Sequence, residues 1–334
     1  MIKIIYETCQ QITSYNGNPV SEWVQPYEQT KNPGWHQFVL FLKPELTAIQ
    51  QGVHLSKGLE LVFNVLDEWG IQIGAVCVLN GDYLYEYRIM DHHYGVINQI
   101  SLNGEPAITQ HAQDMLHQHF SEEVNQGAKV LGGHQFLEAC AAFTPLALSA
   151  FSANLGTEKL GGGTYALSIK IQGQRYIILN PFHPYQLEPF YASSNALVAL
   201  ECMSDKPWTD LRTELVGATN PVQAEKGSLR NLFLQQKDEL GMADVSSSSN
   251  GVHLSAGPLE GMVEIQRFFT EHGGERLLSF RDTCFGQLLA QQGASEEKVL
   301  QLAKNPNVEI NGYQESAFDV TEEMDAQEAV EKLL

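Results

Sequence analysis

His253 sits in the stretch Asn250-Gly251-Val252-His253-Leu254-Ser255, just ahead of a helix read from Leu259 to Phe269. An imidazole has an ordinary pKa near 6.5, so it offers a neutral lone pair close to pH 7 and can act as a nucleophile. A carboxylate bonded to the ring fixes its tautomer and orientation, the usual work of a third group behind a nucleophile. Glu264, eleven residues after His253, supplies one. Leu259, Met262, Val263, Gln266 and Phe269 follow the three-four spacing of one helix face, and Glu264 falls off that stripe, where it can turn back toward the histidine. Gly257-Pro258 opens the helix: proline suits a first helical position, and Ser255 or Gly257 can cap it. Free N–H groups at such a helix start favour an anion, so the chemistry that fits is the handling of phosphate. A histidine alone is more often a packed or surface residue; the company of Asn250, Ser255 and Glu264 argues for more.

These groups need a scaffold. Gln37 to Leu42 reads as a strongly apolar strand stopped by Lys43-Pro44. Leu59, Val62, Phe63, Leu66 and Trp69 mark a helix over Leu55–Trp69, closed by Gly70, and Ile71 to Leu79 reads as a second strand. A third strand is expected over Ala196–Glu201, and a helix from Lys206-Pro207-Trp208 to Val216. Helices are also expected near Leu277–Arg281 and over Cys284–Gln291. From Glu315 onward acids dominate, which predicts a solvated end. The first 35 residues, with the apolar run Ile2–Tyr6 and turns at Asn16-Gly17-Asn18-Pro19 and Asn32-Pro33-Gly34, read as a small extension with one added strand.

Three ordered motifs carry a resemblance. Asn-x-x-His-x-Ser at 250–255 with Glu264 resembles the active-site signature of nucleoside diphosphate kinases. Val216-Gly217-Ala218-Thr219-Asn220-Pro221, running to Lys226-Gly227-Ser228-Leu229-Arg230, is similar to that family's nucleotide-holding loop. Phe38 to Glu45 resembles its first strand and the Lys-Pro-acid that follows. The resemblance implies an α+β fold, a ferredoxin-like antiparallel four-stranded βαββαβ sheet with helices, interrupted here by a large insertion that contains a β-hairpin. Implied boundaries are an N-terminal extension over 1–35, a kinase-like core over 36–79 and 194–292, an insertion over 80–193, and an acidic tail over 293–334. Implied roles are His253 as the phosphorylated nucleophile, Glu264 and Ser255 as its support, and Lys43, Thr219, Arg230 and Asn250 as nucleotide-holding groups. Asp91-His92-His93-Tyr94 is similar to the helix where the family places a tyrosine near the phosphates, which makes Tyr94 a candidate. Mg²⁺ is implied as a companion of the nucleotide phosphates, and assembly into homo-oligomers is a family habit.

Departures stand beside the matches. The family's second phosphate-binding arginine, six residues ahead of the threonine, falls on Thr213 when counted along a regular helix. Arg212 is adjacent, turned elsewhere in that register, and is the candidate to replace it. Leu254 and Ala256 stand where the family has glycine and aspartate. Within the insertion, Thr164–Ile171 and Arg175–Leu179 predict a hairpin through Gln172-Gly173-Gln174, followed by a rigid aromatic loop at Pro181–Tyr185. Gly156 to Thr164 is glycine-rich, but its lysine lies between the glycines rather than after the last, so it reads as a turn and not a phosphate loop. His111, His117, His119 and His134 lack partners at zinc spacing and read as solvated helix residues.

Composition narrows the function classes. The chain has 334 residues, 43% of them hydrophobic, enough for a large core. Its net charge of −20 argues against nucleic-acid binding, which needs clustered bases, so a phosphate site must be a local basic pocket. Five scattered cysteines with no C-x-x-C pair, no basic leader and no membrane-length apolar run read as a soluble, cytoplasmic protein. The expected function is transfer of the γ-phosphate of a nucleoside triphosphate to a nucleoside diphosphate through phosphohistidine on His253. The rival readings are a phosphotransferase or hydrolase with another acceptor, and a nucleotide sensor or scaffold with weakened catalysis.

Overall fold

The structure, a computed structural model, describes residues 1–15, 17–29, 34–274, 277–310 and 313–334. The turns expected at Asn16 and at Asn32-Pro33 lie outside the described residues. The chain folds into two compact units, Met1–Tyr87 with Phe190–Leu334, and Arg88–Pro189. Among the described residues, no helix is long and apolar enough to cross a membrane.

The first unit is built on a five-stranded sheet in the order Ser21–Gln25, Gln72–Asn80, Ala196–Ser204, His36–Leu42, Val252–Leu254. Every neighbouring pair is antiparallel. Without the added edge strand Ser21–Gln25, the remaining four have the strand order of a ferredoxin-like βαββαβ sheet. His36–Leu42 reads as a continuous apolar run because it is covered on both faces. Phe38, Leu40 and Leu42 enter a core with Leu59, Val62 and Leu66 of the helix Leu55–Glu68. On the opposite face Phe41 packs on Phe268 of the helix Pro258–Phe269, with ring centroids 5.3 Å apart. The N-terminal apolar run forms a helix, Ile2–Ile12, which buries Ile5, Cys9 and Ile12 in the same core.

Two expectations for the C-terminal part are corrected. No helix forms over Leu277–Arg281; there is one short turn at Phe280–Asp282, and Leu277 is 74% exposed, so nothing there is buried to hold a helix. The acidic end is not a solvated tail. It forms the helices Glu296–Leu302, Ala317–Thr321 and Ala326–Leu333 and a hairpin of Asn307–Ile310 with Tyr313–Ser316. Ala317, Ala329, Val330 and Leu333 close a second core with Leu259, Val263, Phe285 and Leu289. The apolar positions 326, 329, 330 and 333 have helical spacing, and the acids between them fall on the outer face.

The second unit holds a four-stranded sheet in the order Lys129–Gly132, Gln174–Leu179, Thr164–Ile171, Glu158–Gly161. The expected hairpin is present and turns at Gln172-Gly173 with φ of +48° and +89°, the backbone a two-residue hairpin loop demands. The glycine-rich segment supplies the edge strand Glu158–Gly161 and its turn. The loop expected over Pro181–Tyr185 becomes helical at His183. His111, His117 and His119 are exposed on the helix Gln110–Asn125; His134 is half-buried instead, its Nδ1 2.9 Å from the Ser101 hydroxyl.

Candidate active site

The site lies in the first unit, where the short strand Val252–Leu254 meets the helix Pro258–Phe269. Gly251 sets the strand's direction: its φ is +79°, and a Cβ there would press into the Phe233 ring. Its N–H donates to Glu45 Oε1 at 3.0 Å, and its carbonyl accepts from the Lys43 N–H at 3.0 Å. The Lys-Pro-Glu corner is thereby locked to the residue that precedes the histidine strand. Antiparallel pairing then places His253 opposite Phe41. The two rings stack at 4.5 Å with planes 20° apart, which holds the imidazole flat against the Phe41 ring.

Glu264 completes the arrangement. It is fully buried, its Oε1 lies 2.8 Å from His253 Nε2, and its Oε2 accepts from the Ser255 hydroxyl at 2.5 Å. Ser255 is itself fixed, since its Oγ accepts from the Val39 N–H at 2.9 Å. A carboxylate on Nε2 puts the ring proton there and leaves the lone pair on Nδ1. The histidine side chain is 18% exposed, whereas the Glu264 carboxylate that supports it is fully buried. Such an imidazole can accept a group on Nδ1 and spread the charge that develops into Glu264.

Two cationic residues are tied to the histidine strand and the residue before it. Lys43 is buried with Nζ 3.9 Å from Glu45 Oε1; burial lowers its pKa, Glu45 opposes that, and the Arg230 charge lowers it further. Arg230 is buried and donates to the carbonyls of Gly217 at 2.7 Å and Val252 at 3.2 Å, so it also ties the loop to the histidine strand. Asn250 Nδ2 donates to the carbonyls of Thr219 and Ser247, both at 3.2 Å, while its buried Oδ1 has no hydrogen-bond partner among the described residues. Thr219 is exposed. Lys43, Arg230, Asn250, His253, Ser255 and Glu264 are thus linked through one strand end. Tyr94 belongs to the second unit, where its ring meets His183 edge-on at 5.9 Å.

The count that put Thr213 in the arginine's place assumed a regular helix, and that assumption fails. Leu211–Val216 is a π-helical turn, closed by the Gly217 N–H on the Arg212 carbonyl at 3.1 Å. A π turn holds one residue more than an α turn, so the position six back in an α register becomes seven back. Arg212 therefore turns toward the histidine strand, with Nη1 donating to the Leu254 carbonyl at 2.9 Å. Thr213 is exposed and bonds back to the Thr209 carbonyl at 2.8 Å.

Three residues of the site escaped the sequence reading. Phe41 is visible only through cross-strand register. Glu260 and Arg267 lie four before and three after Glu264, on one helix face. Glu260 accepts from the Ala256 N–H at 2.6 Å; burial and then the Glu264 charge push its carboxyl up, against the pull of Ala256, Arg212 and Arg267. Burial lowers the pKa of Arg267, and the charges of Glu264 and Glu260 work the other way. The i, i+4, i+7 spacing of these three was a legible signal.

No family model matches the chain. Over 102 residues it is 32% identical to a nucleoside diphosphate kinase of Persephonella marina, a match that covers 30% of this chain and 65% of that protein's length. Among solved structures it is similar to an NDP kinase from Pyrobaculum aerophilum at 17% identity and a TM-score of 0.35, over 73% of this chain and 100% of that one.

Proposed function

We propose that the chain is a divergent, nucleoside diphosphate kinase-like phosphotransferase, a reading its similarity to such a kinase supports, and that it moves the γ-phosphate of a nucleoside triphosphate onto His253 and from there to a nucleoside diphosphate. The observation that carries this reading is the fully buried Glu264, which holds His253 Nε2 and the Ser255 hydroxyl at once. In the first half-reaction the Nδ1 lone pair forms a bond to the γ-phosphorus. The bond from that phosphorus to the β–γ bridging oxygen breaks, and its electron pair leaves on the diphosphate. The second half-reaction is the same displacement run backward with a new diphosphate. Glu264 stabilises the charge that the imidazole gains, and Phe41 keeps the ring plane constant through both halves.

Lys43, Arg230 and Arg212 supply positive charge for the phosphates, where catalysis is mainly positioning and charge stabilisation. Asn250, with its unsatisfied buried Oδ1, is placed to accept a hydroxyl hydrogen bond from the nucleotide. Beside Lys43 the Glu45 carboxylate is held by the Gly251 N–H and the Lys43 ammonium, an arrangement that keeps the cation in place for phosphate. Mg²⁺ would come with the triphosphate as part of the substrate and would supply neutralisation of its charge.

The test is incubation with γ-labelled ATP and Mg²⁺. An acid-labile label on the protein, chased off by a nucleoside diphosphate and absent in His253→Ala, is the expected result. A His253→Ala protein that takes up label normally would refute the assignment. One observation favours a sensor that binds without turnover: Arg212 already contacts Glu322 Oε1 at 3.3 Å and the Leu254 carbonyl. Nucleotide binding with no phosphoprotein would support that reading.

A further inference from the structure

We propose that Glu322 and Glu323 belong to the phosphate-binding machinery as counter-anions of Arg212, occupying its guanidinium in place of a nucleotide phosphate and so setting how tightly the site takes one. The inference rests on Arg212 being a phosphate ligand in the transfer reaction.

Arg212 Nη2 donates to Glu322 Oε1 at 3.3 Å, and its Nε lies 3.8 Å from Glu323 Oε1. With Nη1 on the Leu254 carbonyl, both terminal nitrogens of the guanidinium are hydrogen-bonded within this chain, while the buried Nε has no hydrogen-bond partner among the described residues and meets Glu323 only as an ion pair. A guanidinium presents the same planar fork to carboxylate and to phosphate, so the two compete for the same edges.

The carboxylates do not reach Arg212 from a loose end. The segment 321–325 runs as a strap along the end of the histidine strand. The Glu323 N–H donates to the Ala256 carbonyl at 2.8 Å, and the Thr209 hydroxyl donates to the Glu323 carbonyl at 3.2 Å. Asp325 Oδ1 accepts from the Trp208 N–H at 2.9 Å and lies 3.0 Å from His36 Nε2. Gly257 lets the strap pass close by, since a Cβ there would run into the Thr321 carbonyl. Glu323 itself has a φ of +59°, a left-handed backbone uncommon for a glutamate. The bend that this conformation makes sends two adjacent carboxylates to one arginine.

Exposure sets the strength. The Arg212 side chain is 18% exposed, whereas Glu322 and Glu323 are 46% and 41% exposed. Pairs of this kind are weak in water, and a triphosphate carrying several charges can displace them. The strap therefore lowers the affinity of the site for phosphate without closing it. A purely structural clasp predicts something different: loss of stability on neutralising the strap, and no change in nucleotide affinity.

The experiment is a titration of the full chain with MgATP, comparing wild type with Glu322→Gln/Glu323→Gln. Neutralising the two carboxylates should tighten Kd by about three- to tenfold, the range expected for two weak pairs. The gain should vanish when Arg212→Ala is added. The pair Glu296→Gln/Glu297→Gln, an equal charge change on the helix Glu296–Leu302, should leave Kd unchanged. Equal or weaker binding by the strap variant overturns the inference, as does an equal gain in the control pair. If wild type takes label on His253 while its affinity equals that of the strap variant, the strap inference alone fails. If neither protein binds MgATP, the phosphotransfer reading fails with it.

Discussion

Glu264→Gln isolates the charge of the buried carboxylate from its shape. The glutamine amide fits the same space, its oxygen can accept from His253 Nε2, and its NH₂ can donate to the Ser255 oxygen. Ser255 can then turn its own proton to the Val39 carbonyl, 3.4 Å away. Geometry survives, and a charge-assisted hydrogen bond at 2.8 Å becomes a neutral one. Bonds to charged groups contribute about 1.5–3 kcal/mol and neutral ones about 0.5–1.5 kcal/mol, so the loss is about 1–1.5 kcal/mol. At 1.36 kcal/mol per power of ten, phosphorylation of His253 should slow roughly tenfold. Glu264→Ala removes both bonds and opens a cavity, and should cost well over a hundredfold together with some stability. The assay is rapid quench of labelled protein after mixing with MgATP, with urea unfolding alongside to separate stability from rate. Glu264→Gln running at the wild-type rate would show that the carboxylate charge plays no part in the transfer. Glu264→Gln as inactive as His253→Ala would show that the carboxylate does more than hold and neutralise the ring.

Three other outcomes follow from the geometry. Glu201 is buried, its Oε1 accepts from Gln37 Nε2 at 2.7 Å, and burial raises its pKa from 4.5 to about 7. The folded state then keeps a proton that the unfolded chain releases, so this contribution to stability is complete below about pH 4.5 and is lost as pH rises through 7. Glu201→Gln keeps the Gln37 bond, and its stability advantage over wild type in urea should grow by about 3 kcal/mol between pH 4 and 8; a gap independent of pH would refute the assignment. Lys43→Ala should weaken MgATP binding by about 1.5–3 kcal/mol with little loss of stability, whereas Arg230→Ala should lose both, because Arg230 holds the Gly217 and Val252 carbonyls; equal unfolding midpoints for the two variants would contradict this. Thr213→Arg should bring no gain in transfer rate, since position 213 faces solvent beyond the π turn, while Arg212→Ala should lose at least tenfold; the opposite pattern would restore the regular-helix register.

His253, Ser255 and Glu264 were legible in the sequence because they lie on one continuous segment. A short strand followed by a proline-started helix has few ways to bring positions 253 and 264 together, and local spacing settles the pairing. The main core strands around them were legible as apolar runs bounded by glycine, proline or charge, whereas their arrangement in one sheet was implied by the family resemblance and not by the runs themselves. Phe41 against His253 was not legible, because that contact depends on strand register, which is set by burying Phe38, Leu40 and Leu42 on one side and Phe41 on the other. The choice between Arg212 and Thr213 turned on a single extra residue in a helical turn, which no count along the chain reveals. The acidic C-terminal residues looked like a solvated end because charge dominates their composition. Their fold depends on Leu259, Val263, Phe285 and Leu289, and only the apolar face they complete together brings Glu322 and Glu323 to Arg212. Local spacing fixes what adjacent residues can do to one another, whereas contacts across hundreds of residues are decided by which faces must be buried together.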